Sequence, residues 1–303
     1  DPEVTIVVTT ATELIAALSS AAPGDVIFVP STANINLSGT FNTKIPAGVT
    51  LAGDRGVKKS PGGRIYQTGN EYGTNLAMFE AGGDNVRVTG LRLEGPYYGT
   101  EVVNERGAVL NRNKVGLEVD NCEISNWPWF GVFVFGFSGG YPTAYVHHND
   151  IHHILSSGYG YGVVVSHGFA LVEANLFDYT GHCVAAAGGE GEGYEGRYNW
   201  IMEHHQGIRV FDVHYHYTGT DYISGNLYKV HHNTNDSLKY LVGLAAVPTT
   251  GMAVYKNKVH PYQGIPLYKF VYQEGDYGRG NVSIYDNMVD GGIEAVGSVF
   301  EMP

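Results

Sequence analysis

Tyr145-Val146-His147-His148-Asn149-Asp150-Ile151 is one copy of a pattern that recurs along the chain in a constant phase. Six further segments fit under it: Val119–Ile124 with Cys122 at the Asn position, Val172–Phe177 with Asn175, Gly196–Ile201 with Asn199, Ile223–Tyr228 with Asn226, Val254–Val259 with Asn257 and Ile284–Val289 with Asn287. Two residues after that position every copy is apolar or aromatic; three residues before it, all but one carry Val or Ile. The copies step by 27, 26, 24, 27, 31 and 30 residues, with Gly punctuating the intervals and no helical period running through them. A repeat of this length with one short β-run per copy signals a solenoid.

Each coil of such a chain buries one face of its strands and cannot hide that face alone. Stacking sets like residues on like residues about 4.8 Å apart. An inward Asn at a bend can bond the next Asn and the turn backbone, so the repeated Asn reads as structural rather than catalytic. The repeat favours one long domain over the whole chain of 303 residues, with a capping strand and helix within 1–22 and regular coils over about 24–291. Val86-Arg87-Val88-Thr89-Gly90-Leu91 is an earlier coil in the same phase, with Leu91 at the Asn position.

Gly 42 and Tyr 22 against Lys+Arg 18 describe a turn-rich aromatic β protein. A formal charge of −12 argues against nucleic acid, because no basic face is present to neutralise phosphates. It also disfavours an acidic polymer unless one groove is locally basic. Cys122 and Cys183 are too few for a disulfide scaffold and read as small buried hydrophobes. No apolar run approaches the roughly 18 residues of a membrane span, and Asp1-Pro2 shows no signal peptide, so secretion or a cell-surface location is inferred from architecture.

Val4–Val8 reads as an opening strand. Thr10 and Glu13 form a capping-box pair before a helix of about ten residues, with Leu14, Ile15 and Leu18 as its apolar stripe. Placed before a file of coils, that helix plugs an open sheet end. The opening strand and helix, Pro23-Gly24-Asp25-Val26-Ile27, Ile45–Gly56 and Gly63-Arg64-Ile65-Tyr66 together resemble the start of right-handed parallel β-helix proteins of the pectate-lyase-like superfamily. The resemblance continues through the Asn coils to Val289 and implies an all-β right-handed parallel β-helix with a short N-terminal capping helix. It also implies a polysaccharide as substrate, and Ca²⁺ as a possible cofactor held by acidic residues, although no acidic ladder is evident. The superfamily spans lyases, hydrolases, epimerases, esterases and surface proteins, so activity has to come from the site. Tyr97–Arg112 reads as an irregular loop beside a groove. No capping segment is evident before Pro303, which suggests a further domain or a partner beyond it.

A second strand follows each Asn bend. Aligned on Gly131, Gly162, Cys183 and Gly207, it places Val132, Val134, Val163, Val165, Val184, Ala186, Ile208 and Val210 inward. Phe133, Phe135, Val164, Ser166, Ala185, Ala187, Arg209 and Phe211 then face out, and aromatic rings beside Arg209 call for a loop, a partner or a stacked sugar. His167, Gly188 and Asp212 end successive strands in this register. His182 and His214 lie near them, under the loop carrying Glu190, Glu192, Tyr194, Glu195 and Arg197. For β-elimination, Arg209 or Arg197 could neutralise a uronate carboxylate while His214, His167 or Tyr194 handles protons. For hydrolysis, Asp212 could pair with Glu190, Glu192 or Glu195. The candidate catalytic set is therefore Asp212, His214, Arg209, His167 and His182, with Phe133, Phe211, Tyr194, Glu195, Arg197, Glu190 and Glu192 as substrate contacts. His147-His148 and His152-His153 suggest a metal cluster, but adjacent strand residues point to opposite faces and argue against it. His204-His205 and His231-His232 read as turn residues. The function expected first is extracellular polysaccharide cleavage by a uronate lyase, then by a glycoside hydrolase, with a non-catalytic surface or glycan-binding protein as the third reading.

Overall fold

The computed structural model describes residues 4–69, 76–96, 105–136, 140–156, 158–189, 191–207 and 209–214, then shorter stretches between 223 and 301. The chain winds as a right-handed parallel β-helix of about 8 turns. Its turns feed three sheets of 11, 11 and 10 strands among the described residues. The repeat becomes register: Val119, Val146, Val172, Gly196, Val230, Val254 and Ile284 are successive partners in the first sheet. Ile124, Ile151, Phe177, Ile201, Asn235, Val259 and Val289 are partners in the second.

The two sheets meet at a tight bend. The residue before each Asn position (Asn121, His148, Ala174, Tyr198, His232, Lys256 and Asp286) holds a left-handed backbone with φ between 52° and 55°. That conformation costs an ordinary residue roughly 1–2 kcal/mol. It turns the next side chain inward, where hydrogen bonds offset the strain. Asn175 Nδ2 donates to the Val146 carbonyl and to Asn199 Oδ1, each at 3.0 Å. Its Oδ1 accepts the backbone and side-chain N–H groups of Asn149 at 3.0 Å each. The file runs from the Cys122 backbone N–H through Asn149, Asn175, Asn199, Asn233 and Asn257 to Asn287.

Asn233 therefore stands where the repeat spacing had placed Asn226, which lies outside the described residues. The step from Asn199 to Asn233 is 34 residues, so a spacing near 27 lands too early. Val230-His231-His232-Asn233 repeats Val146–Asn149 residue for residue and marks the true copy. The register of the third sheet also differs from expectation. Val184 pairs with Phe211 and Ala185 with Asp212. Gly207 belongs to the turn, packed so tightly on the Gly181 carbonyl that a side chain would strike it, and the strand begins at Arg209. Phe211 consequently points into the core, fully buried, and Asp212 points out. His167, Gly188 and Asp212 do not form a column, and Ile208 lies outside the described residues. The inward residues Val132, Val134, Val163, Val165, Val184, Ala186 and Val210 are all fully buried.

The helix spans Ala11–Ser20 with both capping-box bonds formed between Thr10 and Glu13. It buries Leu14, Ala17 and Leu18 over the first coils, while Ile15 faces solvent. Arg106–Arg112, read from sequence as loop, is a seven-residue strand of the third sheet; 97–104 lie outside the described residues. Cys122 and Cys183 are buried free thiols. No helix is long and apolar enough to cross a membrane among the described residues.

Replacing Asn175 by Ala strips partners from the Asn149 N–H and the Val146 carbonyl, both buried. The expected loss is about 3 kcal/mol, measured as a lowered thermal midpoint with the β spectrum retained below it.

Candidate active site

Three coils of the third sheet build the site on its outer face. Tyr161 is the register partner of His182, and the pairing of Val184 with Phe211 sets Arg209 next in that column. The column one step along runs Phe133, Val164, Ala185, Asp212. Parallel pairing thus brings Tyr161, His182, Arg209, Asp212 and His214 together from three separate coils.

The Asp212 carboxylate has no solvent exposure. Its Oδ2 lies 3.0 Å from His182 Nδ1, 2.9 Å from His214 Nε2 and 3.3 Å from Arg209 Nε. Burial alone would raise its pKa, but the His214 and His182 imidazoles outweigh burial and hold Asp212 well below the usual carboxylate range. Burial pushes His182 down despite the Asp212 charge, which keeps that ring neutral near pH 7. Burial, reinforced by Asp212, pushes the Tyr161 hydroxyl up, so it stays protonated. The Tyr161 ring stacks on His182 at 4.9 Å and meets His214 edge-on at 5.8 Å.

Beside this cluster runs a groove of about 300 Å³. Glu105, Trp129, Phe133, Phe135, Tyr159, Tyr161, Val164, Ser166, Ala186, Ala187 and His214 line it. Trp129 stands edge-on to Phe133 at 5.4 Å and to Tyr159 at 6.4 Å. The aromatic outward face is therefore an apolar trough with a nitrogen-rich end.

The structure gathers Asp212, His214, Arg209 and His182, and puts Phe133 in the groove wall. It sets the other sequence candidates elsewhere. His167 occupies a left-handed bend with its ring against Gly189. Glu192 is buried behind it, accepting the backbone N–H groups of His167, at 3.0 Å, and of Gly188. Tyr194 lies in the core, stacked on Phe211 and edge-on to Tyr228, its hydroxyl 3.4 Å from the Asp212 carbonyl. Glu195 and Arg197 lie on the first sheet, 2.9 Å apart, in a network with Glu173, Lys229 and His231. Tyr194, Glu195 and Arg197 lie away from the groove because their strand, Gly193–Arg197, belongs to the first sheet, while His167 and Glu192 sit in the turns that flank it. Glu190 lies outside the described residues.

Tyr161, Trp129, Tyr159 and Glu105 were not picked out from sequence. Tyr161 was within reach, because it precedes Gly162 as His182 precedes Cys183. His182, Asp212 and His214 present atoms within 4.8 Å of one another, a donor set suited to a divalent transition metal. The Arg209 guanidinium on the same oxygen opposes a second cation there. Glu118, Asp120 and His147 form the other such group, and Arg87 clasps Asp120 through two bonds of 2.8 and 2.9 Å. Neither group is the all-oxygen set that calcium takes.

No family model matches the chain, and no curated protein matches its sequence. Solved structures share its fold over nearly the full length. An alginate lyase from Paenibacillus sp. str. FPU-7 superposes with a TM-score of 0.67 at 16% identity, covering 98% of this chain and 97% of that one. An endo-xylogalacturonan hydrolase from Aspergillus tubingensis gives 0.54 at 11% identity, with 96% and 95% covered. PfbA, a surface adhesin of Streptococcus pneumoniae, gives 0.52 at 10% identity, with 92% and 86% covered. At these identities the likeness shows the right-handed β-helix fold and nothing finer.

Burial lifts the Glu192 carboxyl to about 7, against its backbone hydrogen bonds. A raised acid binds more protons when folded, so its contribution is present below the unfolded value and is lost as pH climbs toward 7. Thermal midpoints should fall between about pH 4.5 and about 7. Glu192→Gln, although less stable overall, should flatten that slope; an unchanged slope would assign it to other groups.

Proposed function

We propose that this chain is a secreted or cell-surface enzyme that cleaves a uronate-containing polysaccharide by β-elimination in the aromatic groove. The observation that carries this reading is the cluster of Arg209, His182 and His214 around one buried anion at the groove end, with Tyr161 beside it. The chain as a whole repels a polyanion, but here the Arg209 guanidinium and the imidazoles gather nitrogen donors that a carboxylate can meet.

Elimination needs a neutralised carboxylate, a base for the C5 proton and an acid for the leaving oxygen. Arg209 meets the uronate carboxylate and makes the C5 proton more acidic. His214, which lines the groove, takes that proton. The electron pair left at C5 forms the C4–C5 double bond as the bond from C4 to the glycosidic oxygen breaks. Tyr161, held protonated, delivers its proton to the departing oxygen. Asp212 orients the two imidazoles and the guanidinium from beneath, as a buried carboxylate orients a catalytic histidine elsewhere. His182 supports the Tyr161 ring by stacking.

The hydrolase reading has less support. Asp212 is a buried anion and cannot serve as a general acid, while Glu192 and Glu195 are elsewhere. Glu105 is the carboxylate lining the groove among the described residues, and hydrolysis ordinarily asks for two. The full-length likeness to an alginate lyase makes uronate polymers the first substrates to try.

The test is incubation with alginate, polygalacturonate, glycosaminoglycans and neutral polysaccharides, following ultraviolet absorbance of unsaturated ends and total reducing ends. Both should rise together on a uronate polymer. His214→Ala and Tyr161→Phe should each lower kcat about a hundredfold or more, and Phe133→Ala should act mainly on KM. Reducing ends without absorbance would make the protein a hydrolase. Inactivity on every polymer, with retained binding, would leave a glycan-binding protein.

A further inference from the structure

The paired histidines take no part in the groove, and their geometry differs from the sequence expectation. His148, His153 and His232 each hold a left-handed backbone with φ of 55°. The chain therefore bends between the two histidines, and their rings face one another rather than opposite sides of a strand. The Nδ1 atoms lie 2.8 Å apart in His147/His148, in His152/His153 and in His231/His232. Ring planes cross at 86°, 84° and 80°. The same arrangement thus occurs three times on the outside of the solenoid.

Behind the first ring of each pair stands a carboxylate. His147 Nε2 is 3.1 Å from Glu118 and His231 Nε2 is 3.1 Å from Glu195, while His152 Nε2 stands 3.7 Å from Glu123. A carboxylate only accepts, so the ring proton sits on Nε2 and the Nδ1 lone pair turns toward the partner ring. The second ring can donate its own Nδ1–H to that lone pair or, with its proton on Nε2, offer a second lone pair, and a metal ion can then take the place of the hydrogen bond. With metal–nitrogen bonds of about 2.0 Å, a 2.8 Å separation subtends about 90° at the metal. That is the cis angle of a tetragonal site; a tetrahedral ion would hold the nitrogens about 3.3 Å apart. Aromatic neighbours hold the rings in place: Tyr145 stacks on His147 at 3.9 Å and Tyr255 on His231 at 4.7 Å. His147 and His231 have only 12% and 8% of their side chains exposed. Little rotamer freedom remains to be lost on binding.

We propose that His147/His148 and His231/His232 each chelate one copper(II) ion through their paired Nδ1 atoms. His152/His153 is a weaker third site, because its carboxylate stands farther from Nε2. The proposal rests on no part of the groove chemistry.

The test uses the full chain without a histidine tag, stripped of metal and titrated with copper(II) by calorimetry and electron paramagnetic resonance. The expected result is two tight equivalents, each with hyperfine structure from two imidazole nitrogens, and a weaker third. His148→Asn and His232→Asn should each remove one tight equivalent; Asn is chosen because it tolerates the left-handed backbone. Glu118→Ala should weaken the first site about tenfold. Circular dichroism and glycan cleavage should match the parent in both histidine variants. Copper uptake unchanged in the combined H148N/H232N variant, single-nitrogen spectra, or no uptake by the parent would each overturn the proposal.

Discussion

The hydrogen-bonded asparagine file is the constraint on which this fold depends. A parallel solenoid must turn its chain between sheets, and every turn leaves backbone groups that strand pairing does not satisfy. Here one amide per coil bonds the coils on both sides of it, as Asn175 does with Val146 before it and Asn199 after it. Each side-chain oxygen is occupied by donors of the preceding coil, so one turn cannot slide against its neighbour without stranding several buried groups at once. Length variation is consequently expelled to the outside. Steps of 24 and 34 residues within the file close on the same geometry, and the extra chain leaves the ladder unchanged.

That fixed register assembles the candidate site. Tyr161, His182 and Arg209 are remote in sequence but become neighbours because each opens a strand in consecutive coils. Beneath them the core is aromatic: Tyr194 stacks on Phe211 and meets Tyr228 edge-on, directly behind the Asp212 strand. A rigid interior of this kind lets a buried carboxylate keep three nitrogen groups converged on one oxygen at the surface. The strongly negative composition does not by itself bar an anionic ligand from the groove end, since the field near Arg209 is set by neighbours within a few ångströms rather than by net charge.

The fold was legible because its signal is periodic: Val119, Val146, Val172 and Val254, with a polar bend residue three positions on, can be read without coordinates. What could not be read is where a coil takes up extra length. Between Asn199 and Asn233 the added residues shifted the apparent phase to Asn226. In the third sheet, a Gly207 used in the turn was taken for the first strand residue. Three residues of slip exchanged the faces of Phe211 and Asp212. Four of the candidate catalytic residues still converge, because Arg209, Asp212 and His214 travel together on one strand and His182 opens the neighbouring one. Glu195 and Arg197 were misplaced for a different reason: proximity in sequence to Glu192 was read as proximity in space, whereas a strand of the first sheet intervenes. The histidine pairs failed on backbone conformation, since alternation of faces holds in a strand but not through a left-handed bend.

The outward columns also give the groove a direction. Along one of them the residues run Glu80, Leu110, Phe133, Val164, Ala185, Asp212 and Gly243, from bulky to small as the coils advance. The Glu80 end is closed by its ion pairs with Lys44 and Arg112. Rings of Trp129, Phe133 and Phe135 then form an apolar wall, and Ala185, Ala186 and Ala187 leave space in front of His214 and Tyr161. A sugar chain lying parallel to the solenoid axis would place its stacked residues over the aromatic coils and its reacting residue over the alanines, where the protonable groups are. Under the proposed elimination, a large side chain at Ala185 or Ala187 would fill the space through which a C5 proton reaches His214. In the proposed elimination the small residues would therefore matter as much as the titratable ones: they set the depth of the groove, and the asparagine file holds them in line.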